Sequence, residues 1–164
     1  MPRPNHRVDL LFVPADVERV PDAAAFDVVK QTWTSQGRLG RGAGRDALII
    51  GGFRRLWLDR PDRLTLYANQ QGGYYVRCPV TRGNLAPVFS AAVQEWRRGG
   101  EGVLACPHCQ KPHPLESVIL SPPGAFARGA VVFTDVGSLD MAEGARQALH
   151  AVLGEMREVI RRVG

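Results

Sequence analysis

Residues 106–113 read Cys-Pro-His-Cys-Gln-Lys-Pro-His, and a second Cys-Pro pair, Cys78 and Pro79, lies upstream of this segment. These two places hold all three cysteines of the chain. A Cys-x-x-Cys turn presents two thiolates to one point, and zinc takes four sulfur or nitrogen ligands in a tetrahedron. Cysteines arranged in this way in a cytoplasmic protein more often hold a metal than form a disulfide. The segment therefore predicts a zinc-knuckle-like loop inserted in a larger fold.

The predicted zinc ligands are Cys78, Cys106, Cys109 and His113. A four-cysteine ribbon would carry Cys-x-x-Cys twice, but Thr81 stands where the partner of Cys78 would be. His113 follows Cys109 at a spacing that allows the two residues to share a zinc ion, so it is the preferred fourth ligand. With all four positions filled by protein, the role of the metal is structural. The alternative is a degenerate, metal-free site in which the cysteines are small buried side chains.

Two catalytic alternatives use the same residues. Cys-Pro-His-Cys is also the active-site tetrapeptide of strongly oxidising thioredoxin-like proteins, which would make the chain a thiol-dependent enzyme using Cys106 and Cys109. That chemistry needs a helix N-terminus at the first cysteine, because the helix dipole lowers the thiol pKa. Two prolines follow the motif closely, and no amphipathic helix continues from it. A pair of His113 with Cys78 or Cys109 is the other alternative. No complete catalytic arrangement occurs elsewhere, and we expect a protein that is not an enzyme.

The first part of the chain predicts a strand, a helix and a loop. The apolar run Arg7–Val13 predicts a buried strand. Asp22 is the predicted N-cap of a helix whose apolar residues recur at helical spacing as far as Gln36. Gly37–Gly44 then combines four glycines with two arginines, which predicts a surface loop.

The middle of the chain predicts antiparallel sheet. Four short segments are rich in residues that favour strands, and turn-forming residues separate them. They are Ala47–Ile50, Arg54–Leu58, Leu64–Ala68 and Tyr74–Arg77. Because consecutive strands joined by short turns usually form hairpins, we expect a meander.

The second half adds two amphipathic helices, Asn84–Arg98 and Met141–Leu153, together with several short strands. The predicted strands are Val103–Ala105, Ser117–Leu120, Ala130–Phe133 and Glu158–Val163. The order of elements predicts an α/β or α+β fold with a mostly antiparallel sheet, about three helices and an inserted zinc-knuckle-like loop.

Length and composition set the broad class. The chain has 164 residues, of which 45% are hydrophobic, which suits one domain over residues 1–164 with a ribbon-like cysteine segment at about 74–120. No apolar run approaches the roughly 20 residues of a membrane helix, and no secretory signal peptide is evident. We therefore expect a cytoplasmic protein without a membrane partner.

The basic charge raises a nucleic-acid hypothesis. The net charge is +5, and of the 21 basic residues only Lys30 and Lys111 are lysines. Arginine suits phosphate recognition, so a nucleic-acid-binding zinc protein is an alternative function. This hypothesis predicts that several arginines share one face near Tyr74 or Tyr75, whose rings would stack on bases. The arginines in question are Arg38, Arg41, Arg45, Arg54 and Arg55.

From Tyr74 onward the chain resembles small bacterial proteins that carry a ribbon-like Cys-Pro-x-Cys pair and are presumed to be immunity proteins against toxins. The resemblance rests on a pattern of cysteines, prolines and aromatic residues. The pattern comprises Arg77, Cys78, Pro79, Trp96, Cys106, Pro107, Cys109, Pro122–Phe126 and Val131–Asp135. It implies a non-enzymatic module that neutralises a partner toxin by stoichiometric binding. The basic charge would suit an acidic partner better than a basic one.

Overall fold

A computed structural model describes residues 7–69, 75–121 and 124–163. The α-helices are α1 (Ala23–Ser35), α2 (Ala86–Arg97) and α3 (Ala145–Leu153), and two short 3-10 helices span Arg41–Asp46 and Leu115–Ser117. The strands are β1 (Arg7–Pro14), β2 (Arg55–Asp59), β3 (Thr65–Tyr67), β4 (Tyr75–Arg77), β5 (Val103–Ala105), β6 (Pro112–Pro114), β7 (Ile119–Ser121), β8 (Ala125–Ala127), β9 (Ala130–Thr134) and β10 (Met156–Val163). This mixed content, with antiparallel pairing and a cysteine loop, confirms the predicted fold class.

The central sheet has four antiparallel strands in the order β10–β1–β9–β2. β1 and β10 pair along their whole length, from Arg7 opposite Val163 to Pro14 opposite Met156. The closing strand was predicted from Glu158, and it begins two residues earlier at Met156. Because β1 lies between two neighbours and is covered on both faces, its residues form a nearly continuous apolar run.

The middle strands are not a meander, so that prediction is wrong. β2 pairs with β9, β3 with β8, β4 with β7, and β5 with β6, so each pair lies inside the previous one along the chain. The predicted strand Ala47–Ile50 is also wrong: these residues form an irregular segment with a single bridge between Ile49 and Met141. Leu48 and Ile49 are fully buried, so the segment is apolar because it fills the core. Tyr74 and Pro122 lie outside the described residues.

The helix ends follow local chemistry, with two shifts. The Asp22 side chain accepts a hydrogen bond from the Ala25 amide at 3.0 Å, as the predicted N-cap. Asn84 does the same for the Ala86 amide, but the helix itself begins at Ala86. The third helix begins at Ala145, later than the predicted Met141, because Met141 bridges to the core segment. The loop predicted at Gly37–Gly44 contains the start of a 3-10 helix at Arg41, and the non-helical backbone of Gly44 interrupts that helix.

Apolar clusters cover both faces of the central sheet. Alternate residues of each strand point to opposite faces. On one face, Leu10, Phe12 and Phe133 pack with residues of α1 and α3. On the other face, Leu11 and Val132 pack against the β3–β8 pair. The central sheet is therefore buried between helices on one side and a two-stranded ribbon on the other.

A third apolar cluster forms the core of residues 75–121, which we call the cysteine lobe. Its core joins α2 to the β4–β7 and β5–β6 pairs through buried apolar side chains. The buried members are Val76, Cys78, Leu85, Phe89, Val93, Leu104, Cys106, Leu115, Val118, Leu120 and, from β8, Phe126. Two of the three cysteines are thus part of a packed core, which fixes where their side chains point.

Candidate metal centre

The two cysteine turns, residues 78–83 and 106–111, have the same backbone geometry. In each turn the cysteine amide donates to the carbonyl of the last residue, at 2.8 Å in the first turn and 3.2 Å in the second. The cysteine carbonyl accepts from the fifth residue, at 2.9 and 3.2 Å. That fifth residue is left-handed in both turns, with φ of 62° at Arg82 and 63° at Gln110. The chain therefore builds one knuckle twice, with only the leading Cys-Pro pair in common.

The strands around the knuckles repeat as well. β4 leads into the first turn, and the chain returns through a bridge between Arg77 and Asn84. β5 leads into the second turn, and the chain returns as β6, with Ala105 opposite Pro112. The two knuckles thus lie at the ends of similar hairpins. Thr81 stands three residues after Cys78, at the position that corresponds to Cys109 in the second knuckle.

The structure brings the four predicted ligand residues together. The Sγ atoms of Cys78, Cys106 and Cys109 and a ring nitrogen of His113 all lie within 4.8 Å of one another. The His113 Nε2 atom is 3.0 Å from Cys109 Sγ and 3.4 Å from Cys78 Sγ. Cys109 is half-buried and the other three side chains are buried. No disulfide joins the cysteines, and the cluster is compatible with a metal site.

Backbone amides in each knuckle point at a cysteine sulfur. Cys78 Sγ accepts from the amides of Val80 and Thr81, both at 3.4 Å. Cys106 Sγ accepts from the equivalent amides of the second knuckle, at 3.4 and 3.5 Å. Hydrogen bonds to the charged form favour it, so these amides stabilise thiolates, which are the form that binds metals.

The thiols of the cluster differ in how readily they ionise. Burial raises the pKa of Cys78, but hydrogen bonds from the hydroxyl and amide of Thr81 and from the Val80 amide outweigh burial and lower this pKa to about 5. Burial raises the pKa of Cys109, and the neighbouring thiols Cys106 and Cys78 raise it further, although the Lys111 amide opposes them. Crowded thiolates repel one another, and a cation placed between them relieves that repulsion. The donor set therefore fits a metal ion.

His108 connects the two knuckles without entering the cluster. Its ring nitrogen Nε2 lies 2.8 Å from the Asn84 carbonyl oxygen of the first hairpin. The ring also lies over Gly83, where an added Cβ would meet it at 2.5 Å. This role of Gly83 could not be predicted from the sequence, because the need for a small residue there comes from the His108 ring, which belongs to the other knuckle.

The geometry around the Cys-Pro-His-Cys motif differs from that of a redox motif. The residues after Cys109 continue as strand β6, so no helix N-terminus lies at Cys106. Cys106 is 4% exposed and Cys78 is fully buried. Cys109, the second cysteine of the motif, is half-buried.

The arginines singled out by the nucleic-acid hypothesis are partly engaged in contacts within the chain. Arg41 forms an ion pair with Asp135 at 2.7 Å, and Arg38 donates to the Asp46 carbonyl at 3.1 Å. Tyr75, exposed on β4, belongs to the cysteine lobe.

Comparison of the chain with family models, curated proteins and solved structures gave no match. A membrane span would need a longer and more apolar helix than any in the described part of the chain.

Proposed function

We propose that Cys78, Cys106, Cys109 and His113 hold one structural zinc ion. With zinc–sulfur bonds of about 2.3 Å and zinc–nitrogen bonds of about 2.0 Å, a tetrahedral site spaces its ligand atoms about 3.5–3.8 Å apart. The distance from Cys78 Sγ to His113 Nε2, 3.4 Å, is close to this spacing, and the distance from Cys109 Sγ to the same nitrogen, 3.0 Å, is shorter. Four protein ligands leave no position for water, which is typical of structural sites. The zinc would fix the two knuckles against each other.

We further propose that the cysteine lobe is a non-enzymatic protein-binding module. The observation that carries this proposal is the outer face of the β5–β6 hairpin. Val103 lies opposite Pro114, and Ala105 lies opposite Pro112, and all four side chains are exposed. This face contains no charged or polar side chain. Exposed apolar patches of this kind are typical of the centre of protein interfaces, whereas nucleic acids require basic groups at the contact.

At the β6 edge of this hairpin, binding would use side chains and not strand addition. The Leu115 amide donates to the Gly102 carbonyl, and the Cys106 amide donates to the Lys111 carbonyl. The backbone N–H and C=O groups of the odd-numbered residues along β6 therefore point toward β5. The residues whose backbone groups point to the outer edge of the hairpin, away from β5, are Pro112 and Pro114. Proline has no backbone N–H to donate. An added strand could not form its ladder on this edge.

The partner that best suits the chain is an acidic protein with an apolar contact surface. The net charge of +5 favours association with an acidic surface through complementary long-range attraction. The resemblance to presumed immunity proteins adds the role: stoichiometric neutralisation of a toxin in the cytoplasm. The buried sulfur of Cys78 and the raised pKa of Cys109 favour structural over catalytic use of the cysteines.

The zinc proposal is tested by elemental analysis of protein purified without added metal. We expect about one zinc per chain. The variants Cys106→Ser and His113→Ala should lose it, while Thr81→Ser, which changes a residue outside the ligand set, should retain it. Metal-free protein of normal stability would instead support the degenerate site.

The binding proposal is tested by affinity capture from native lysate, with and without nuclease treatment. Val103→Asp places a charge on the apolar face, and Val28→Asp places the same charge on α1, where Val28 is also exposed. We expect one acidic protein to be captured in a one-to-one ratio, after nuclease treatment, by the parent and by Val28→Asp but not by Val103→Asp. Recovery that nuclease abolishes would favour nucleic-acid binding, and equal capture by both variants would place the interface elsewhere.

A further inference from the structure

A cleft of about 480 Å³ opens at one end of the central sheet, remote in sequence from the cysteine lobe. Arg54 immediately precedes β2, and Asp135 immediately follows β9. Because these two strands pair antiparallel, both residues lie at the same end of the sheet. The glycine-rich segment after α1 completes the wall with Gly40 and Arg41, and Phe53 forms the base.

The backbone of the cleft is held in an unusual conformation. Asp135 has φ of 50°, a left-handed value that is uncommon for residues other than glycine. Its amide donates to the Oδ1 atom of Asp9 at 3.0 Å. Asp9 is fully buried and pairs with Arg7 and Arg161, each at 3.1 Å. A buried and neutralised carboxylate therefore holds Asp135 in place, and such maintained strain is often found at functional sites.

Asp135 in turn orients Arg41. The Arg41 Nη2 atom donates to the Asp135 carboxylate at 2.7 Å and to its carbonyl at 3.1 Å. The backbone of Arg41 is packed so closely on Gly52 that an added Cβ there would lie 2.8 Å from Arg41 Cα. The guanidinium of Arg41 is thus fixed by both its side-chain partner and its backbone, with its other N–H groups free of Asp135.

Arg54 supplies an unbalanced charge. It is exposed, and within residues 7–69, 75–121 and 124–163 it forms no ion pair. Two arginines and one aspartate give the cleft a net positive charge. Guanidinium groups bind phosphate oxygens in a fork geometry, and a preorganised arginine loses less freedom on binding.

We propose that this cleft binds a small phosphorylated compound, with the phosphate between the guanidinium groups of Arg41 and Arg54. The cleft is open to solvent on one side, so a bound phosphate can carry a larger organic group that extends beyond the rim. The Asp135 carboxylate at its edge can accept a hydrogen bond from a hydroxyl of the same ligand. This site is independent of the zinc centre and of the apolar hairpin face.

The test is calorimetric titration of the full chain with inorganic phosphate, ribose 5-phosphate and ribose. We expect phosphate to bind, ribose 5-phosphate to bind more tightly, and ribose not to bind. Arg54→Ala should weaken binding of both phosphates by about tenfold to a hundredfold, the effect of losing hydrogen bonds to a charged group. Arg54→Lys should recover part of the affinity, because it keeps the charge but not the fork.

Arg60→Ala is the matched control, since Arg60 is exposed, lies outside the cleft and carries the same charge. We expect its affinity for phosphate to be within about twofold of the parent, because a charge distant from the bound ligand contributes little in salt. Equal weakening in Arg60→Ala and Arg54→Ala would overturn the proposal, since it would show general attraction to a basic surface. Absence of phosphate binding at millimolar concentration would overturn it as well.

Discussion

Metal removal is expected to open the cysteine lobe while the central sheet stays folded. The strands that carry the knuckles, β4 to β7, have three residues each and form only two-stranded ribbons. Ribbons of this size are marginally stable alone in water. By contrast, β1 and β10 pair over eight residues inside a four-stranded sheet. The lobe should therefore depend on the metal far more than the sheet does.

The size of the effect follows from linkage. At free zinc one thousand times the dissociation constant, binding stabilises the loaded state by about 4.1 kcal/mol, which changes an opening equilibrium about a thousandfold. Hydrogen–deuterium exchange with and without a zinc chelator measures this locally. Amides of residues 103–114 should exchange about a thousandfold faster without metal, while amides of residues 7–14 and 156–163 should keep their rates. Cys78→Ser without chelator should reproduce the chelated pattern.

Two outcomes would refute this reasoning. Unchanged exchange at residues 103–114 after verified loss of metal would show that packing alone holds the hairpin. Equal acceleration at residues 7–14 would show that the lobe and the sheet unfold as one unit, and that the metal stabilises the whole chain.

Three further perturbations test individual contacts. Gly83→Ala should displace the exposed His108 ring and cost about 1 kcal/mol through its lost hydrogen bond, and a double-mutant cycle by urea denaturation should show no such cost in a His108→Ala background. Asp9→Asn leaves two arginines without their buried partner and should cost about 3–5 kcal/mol, whereas Glu18→Gln, which removes an exposed ion pair, should cost less than about 1 kcal/mol in the same assay. Burial raises the pKa of Tyr67 in the folded protein, so the stability it contributes is complete below the unfolded pKa of about 10 and is lost as pH rises above it; thermal unfolding should show this loss in the parent and not in Tyr67→Phe.

Local patterns predicted the elements of the fold better than their partners. Apolar runs gave β1, β2 and β9, and Asp22 with helical spacing gave α1, because these signals lie within a few residues. The nested pairing was missed because each strand finds its partner far along the chain, and turn residues alone favour the nearest neighbour. Ile49 shows the second limit: an apolar run can be buried as irregular core when no strand edge is available to it.

The candidate metal centre was predictable from spacing, and the cleft was not. Cysteine and histidine at metal-ligand intervals carry a chemical signal that does not depend on the surrounding fold. The structure places those four side chains together. Asp9 gave no such signal, because one acidic residue in an apolar strand has meaning only beside Arg161 and Asp135, which are distant in sequence.

The nested order of the strand pairs also bears on how the chain folds. Closing a long loop costs conformational entropy that grows with its length, so β2 and β9 are expensive to join first. The hairpin of β5 and β6 closes only the short cysteine turn. Once it has formed, the loop that the next pair must close is effectively shorter, and the same holds for each pair further out. We therefore expect the knuckle hairpin to act as an early local nucleus from which pairing proceeds outward, giving this β-rich chain a lower entropic barrier than its overall contact order implies.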